Sequence, residues 1–94
     1  MDVLAEVEFL KIDRSKYEFK YINGCWPFIT YPALNGIAGC MLLLDNEAFD
    51  GDVVELEIKF YDKSIHEGKI REGDLFDLYV GTTHIAKGRF TIIM

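Results

Sequence analysis

The chain reads as an all-β protein, a single small closed antiparallel barrel of six to seven strands, and three observations carry that reading. Apolar and polar residues alternate with a period of two over most of the length, which is the signature of strands with one buried face. Turn signals containing glycine separate the alternating runs. A length of 94 residues leaves room for one core, so residues 1–94 form one domain. Many short strands set between such turns describe a sandwich or barrel.

The N-terminal segment is open to two readings. Val3, Leu4, Val7 and Leu10 fall at helical spacing behind Asp2, a good cap, while Val3, Ala5, Val7 and Phe9 fit a strand with Glu6 and Glu8 facing out. Tyr17, Phe19 and Tyr21 alternate with Glu18 and Lys20 and predict a strand. The run Ile37 to Leu44 is apolar on both faces, as in a strand covered on both sides. Val54, Leu56, Ile58 and Phe60 alternate with Glu55, Glu57, Lys59 and Tyr61, and Phe76, Leu78 and Val80 alternate with Asp77 and Tyr79. At the end, Ala86, Gly88, Phe90 and Ile92 share one face against Lys87, Arg89 and Thr91. Turns are predicted at Asn23-Gly24, Asn35-Gly36, Asp50-Gly51-Asp52, Glu67-Gly68, Glu72-Gly73 and Gly81-Thr82.

Half of the residues are hydrophobic, so the chain has the means to bury a core and disorder is excluded. The longest apolar run, Ile37 to Leu44, is far short of the roughly 20 residues that span a bilayer, so no membrane partner is expected. Acids at Asp2 and Glu6 stand where a signal peptide would carry positive charge, which makes a cytoplasmic location the expectation. In that compartment Cys25 and Cys40 are expected as free thiols. Neither cysteine lies in a CxxC pair, and His66 and His84 have no zinc-ligand spacing, so no metal and no cofactor is predicted. Ser15 and Ser64 are the only serines and neither lies in a GxSxG elbow. A Cys25 thiol with an imidazole from His66 or His84 is the one conceivable nucleophilic pair, and nothing in the spacing favours it. The reading is therefore a non-catalytic protein with no catalytic residues.

Two segments stand out as candidate partner-binding elements. The net charge is −6, and Asp45, Glu47, Asp50, Asp52, Glu55 and Glu57 follow one another with no base between them. This is either a solvated loop and strand face or a docking surface for a basic protein. The same acidity speaks against direct nucleic-acid binding, which needs Lys and Arg for the phosphates. The second segment, residues 25–32, places Trp26 directly before Pro27 and sets Phe28 and Tyr31 between Pro27 and Pro32, the only prolines. It reads either as a rigid plug closing one barrel end or as an exposed aromatic anchor, since Trp and Tyr dominate interface hot spots.

Residues 72–93 carry a more specific pattern. Glu72, Gly73, Phe76, Gly81, Gly88 and Thr91 have the spacing of the closing hairpin in the C-terminal β-barrel domain of elongation factor Tu, which the chain resembles. Ala5-Glu6-Val7 with Leu10-Lys11 is similar to that family's first strand, and so the resemblance favours strand over helix at the N-terminus. Gly24 and Pro27 match the family's Gly-Tyr-Arg-Pro-Gln-Phe segment, and Gly51-Asp52 its Pro-Gly-Asp turn. The departures are specific too: Trp26 replaces the family's Arg, Phe28 its Gln, and the Ser64 to Arg71 loop is longer. No GxxxxGK[ST] loop exists, so the family's GTPase chemistry is absent.

Two functions follow as expectations. One is a protein-binding module for a basic partner, in concrete form an acidic immunity-type inhibitor of a basic toxin. The other, implied by the resemblance, is a translation-linked module that contacts tRNA or the partners of elongation factor Tu. A subunit of a larger assembly is a third reading, with contacts through faces or loops because a closed barrel has no free edge.

Overall fold

Six strands are present in a computed structural model that describes residues 2–15 and 20–94. They are β1 (Asp2–Phe9), β2 (Phe28–Thr30), β3 (Ala38–Leu43), β4 (Val53–Phe60), β5 (Leu75–Val80) and β6 (Thr83–Ile93). They close into an antiparallel barrel in the order β1-β4-β3-β2-β5-β6. The N-terminal segment is strand, as the resemblance implied. Val3, Ala5, Val7 and Phe9 all point inward and are fully buried, while Glu6 and Glu8 face solvent. Among the described residues no helix is long and apolar enough to cross a membrane.

The interior is aromatic. Phe90 packs on Phe76 with ring centroids 4.6 Å apart and meets Tyr31 edge-on at 5.7 Å, while Phe9 stacks on Tyr21 at 4.3 Å. Such rings must be fitted around, and Gly88 does the fitting. A β-carbon there would stand 2.5 Å from Phe76 Cζ and 2.6 Å from the Glu6 carbonyl oxygen. The absence of a side chain at 88 is thus what lets β6 lie against β1 over the Phe76 ring. The β5–β6 hairpin reverses at Gly81, whose φ of +59° is left-handed and suits glycine.

Two expectations are corrected. The run 37–44 is not covered on both sides. Ala38, Cys40 and Leu42 point into the core, whereas Gly39, Met41 and Leu43 face outward half-buried and Ile37 is exposed. In a barrel there is only one interior, and no second layer covers β3. Ile92 does not share the face of Phe90. Ala5 pairs with Phe90 but Leu4 pairs with Ile92, so Thr91 is an extra residue. This bulge flips the alternation, which exposes Ile92 and turns Ile93 towards the core. Of the strand read at Tyr17, Phe19 and Tyr21, Tyr17 and Phe19 lie outside the described residues. Tyr21 makes an isolated antiparallel bridge to Ala48 and is buried.

The long loop after β4 closes one end. A 3₁₀ turn, Lys63–His66, is capped by Asp62, whose carboxylate accepts from the Ser64 backbone N–H and hydroxyl. The turn delivers His66 to full burial, stacked on Phe60 at 4.0 Å, with Nδ1 2.5 Å from the Tyr31 hydroxyl. In either tautomer Nε2 has no hydrogen-bond partner among the described residues. Burial holds the imidazole below its ordinary pKa, against a smaller opposing pull from Asp62, because a charged ring would be desolvated with one N–H unanswered.

Two measurements test this packing. Gly88→Ala is expected to destabilise the barrel by about 1–3 kcal/mol in urea titration, the cost of an overpacked core. His66 sets a pH dependence. The unfolded chain takes up the imidazole proton near the ordinary 6.5, before the folded protein does. Its contribution to stability is therefore complete above about pH 6.5 and is lost progressively as pH falls below that value. His66→Phe is expected to flatten the slope between pH 7 and 5 whatever its baseline stability.

Candidate functional site

Since a closed barrel leaves no free strand edge, a partner must be met by outward side chains or by loops. The outward positions are unequal. Phe28 lies in register with Gly39 of β3 on one side and Tyr79 of β5 on the other, and Tyr79 pairs with His84 of β6. At Gly39 the outward space is filled from the neighbouring strand end, because the Tyr61 ring stands 2.8 Å (Cδ2) from where a β-carbon would be. Tyr61, Phe28, Tyr79 and His84 thus form one aromatic row that crosses the outside of the barrel.

Trp26 joins this row at the Tyr61 end. Residues 25–27 continue β2 as a partner of β3, since Leu42 N–H donates to the Cys25 carbonyl and Cys40 N–H to that of Pro27. This register turns Trp26 outward beside Phe28, its neighbour two positions along. The indole meets the Tyr61 ring at 6.0 Å and 88°. Trp26 is 72% exposed, Tyr61 54% and Phe28 44%. At the other end His84 stacks on Tyr79 at 4.9 Å, and its Nε2 lies 2.8 Å from Asp77 Oδ1.

The segment 25–32 therefore presents side chains to both sides of the barrel wall. Pro27, Ile29 and Tyr31 face inward, and Tyr31, 3% exposed and bonded to His66, belongs to the core. Placing Tyr31 with the anchor residues is corrected: strand alternation divides it from Trp26 and Phe28. Tyr61 and Tyr79 complete the row but do not stand out in the sequence. The available signal is an aromatic on the otherwise charged face of an alternating strand.

The acidic stretch divides in a similar way. Asp50 accepts a two-pronged bond from Arg14, Nη2 to Oδ1 at 2.6 Å and Nε to Oδ2 at 3.2 Å, and the adjacent guanidinium holds its carboxyl below the usual range. Asp52 closes its own turn, accepting from Phe49 N–H at 2.9 Å. These two carboxylates organise the β3–β4 connection. Asp45 and Glu47 are exposed in that connection, and Glu55 and Glu57 point outward from β4. Glu57 is in register with Leu43 of β3, and Lys59 with Met41, so the carboxylates and the aromatic row occupy two ends of one β4-β3-β2 face. On β1 and β6, Glu8 with Lys87 at 3.9 Å and Glu6 with Arg89 at 3.7 Å form cross-strand pairs. No ion pair engages Asp45, Glu47, Glu55 or Glu57 among the described residues.

The thiols and imidazoles are arranged for packing. Both cysteines are free, as expected. Burial pushes the Cys40 thiol up to about 12 and raises that of Cys25. His66 is engaged by Tyr31 and His84 by Asp77. Among the described residues no three His, Cys, Asp or Glu side chains are grouped to hold a metal ion.

Stability separates the outward from the inward aromatics. Trp26→Ala and Phe28→Ala are expected to change it by no more than about 0.5 kcal/mol, as at exposed positions. Tyr31→Phe is expected to cost about 1–3 kcal/mol because it strips His66 of the one side-chain hydrogen bond it makes among the described residues. Urea titration followed by circular dichroism tests all three. Compared with known proteins, the chain matches no family model and no curated protein.

Proposed function

We propose that the chain is a non-catalytic protein-binding module that docks a basic protein on its β4-β3-β2 face. The observation that carries this reading is the solvent-exposed aromatic group of Trp26, Phe28 and Tyr61. An exposed Trp beside an exposed Tyr is the composition of an interface hot spot, and nothing within the described fold requires it. The carboxylates of Asp45, Glu55 and Glu57 on the same face supply the sign of the partner, as does the net charge of −6. An inhibitor that neutralises a basic toxin has these properties. The resemblance to the elongation factor Tu barrel supports descent from a partner-binding domain. It carries less weight for tRNA, because Lys87 and Arg89, the cations of the last strand, face Glu8 and Glu6.

Immobilised protein, challenged with lysate of the source cell at low and at high salt, tests this. Basic proteins are expected to be retained at low salt, to be lost at high salt, and to be retained more weakly by Glu55→Gln/Glu57→Gln. Trp26→Ala is expected to weaken retention by about 2 kcal/mol or more, roughly 30-fold. Retention that ignores both substitutions would overturn the reading. Parallel filter binding is expected to show no tRNA affinity at low salt.

A further inference from the structure

The Trp26–Tyr61 contact is a right-angled corner of two π-faces, and its form specifies a ligand more closely than the charge of the face does. The Tyr61 ring reaches Gly39 with its Cδ2–Cε2 edge and is 54% exposed, and Trp26 stands at 88° to it, 72% exposed. The negative faces of both rings thus border one small volume of solvent. An apolar anchor placed there would stay wet on its open sides. A planar cation would not suffer from this, since it can stack on one ring and keep its edge hydrated.

The face that leads to the corner is acidic beyond Lys59, the outward β4 residue next to Tyr61. On the outward positions of β4 and the end of β3, Asp45, Glu55 and Glu57 stand against the single Lys59. The molecule already uses the same chemistry within itself. The Arg14 guanidinium lies 5.1 Å from the centroid of the Tyr21 ring while its fork engages Asp50.

We propose that the Trp26–Tyr61 corner receives one arginine side chain of the partner, stacked as a guanidinium on the indole. This rests on the protein-binding reading given above and adds the identity of the contacting group. The bond is non-covalent and electrostatic, so it requires a charged ligand and intact ring faces.

The test is an NMR titration of the intact chain with the peptide acetyl-Gly-Arg-Gly-amide and its citrulline counterpart, which keeps the shape and loses the charge. Trp26 is the only tryptophan, so one indole N–H resonance reports the site. The arginine peptide is expected to shift the Trp26 indole and Tyr61 ring signals and to bind at least about fivefold more tightly than citrulline. Tyr61→Phe is expected to keep the preference, and Tyr61→Leu to abolish it. Trp26→Leu, read on the Tyr61 ring, is expected to abolish it too. Equal shifts with both peptides, or an arginine preference that survives both Leu variants, would overturn the proposal. Either result would leave salt-dependent retention of a basic protein standing. Conversely, loss of that retention with arginine selectivity intact would count against the functional reading alone.

Discussion

β1 is hydrogen-bonded along both sides, to β4 from Asp2↔Lys59 to Glu8↔Val53 and to β6 from Val3↔Ile93 to Phe9↔Ala86, so the sheet to which it belongs has no end. Closure makes one inside and one outside, and every other feature is sorted by that division. Val3, Ala5, Val7 and Phe9 are fully buried because two flanking strands and the far wall surround them. The close approach of β6 depends on Gly88, where the Phe76 ring and the Glu6 carbonyl leave no volume for a side chain. A residue chosen for its lack of atoms therefore holds the seam beside the largest rings of the core.

The same closure means that the proposed binding face is built from side chains. With every strand paired on both sides, the backbone offers no edge for a partner to extend. What is left is the outward half of each strand. On β1 and β6 this half carries alternating charges that answer one another across the sheet, an arrangement worth little to stability but well suited to remaining solvated. On β2, β3 and the end of β4 it carries Trp26, Phe28, Ile37 and Tyr61, with Met41 half-buried between them. These large apolar side chains are left in water, which is the feature on which the proposed docking rests.

The loop at 62–70 shows how a long connection can be absorbed by a barrel. Its 3₁₀ turn brings His66 onto Phe60 and Tyr31, so a polar residue fills a position at the barrel end that an apolar one would otherwise take. Burial keeps the imidazole neutral, and Nε2, without a hydrogen-bond partner among the described residues, makes this the acid-sensitive point of the core. Tyr31 is thereby fixed from both sides, by His66 and by Phe90, which anchors the inward half of the strand that displays Trp26 and Phe28.

Period-two alternation determined the strands β4, β5 and β6, and with them the all-β class, because which residues face inward on a strand is a local property of the chain; at the N-terminus it left strand and helix open. The chemistry of the turns was equally local, as at Gly51 and Gly81, where positive φ selects glycine. Alternation also determined that Trp26 and Phe28 face one way and Tyr31 the other, but not which way was out. That depended on which face of β2 met β3 and β5, a pairing between residues far apart in the sequence. The bulge at Thr91 and the aromatic row from Tyr61 to His84 were decided in the same manner. Each is a relation between neighbouring strands, and a register exists only once the barrel has closed.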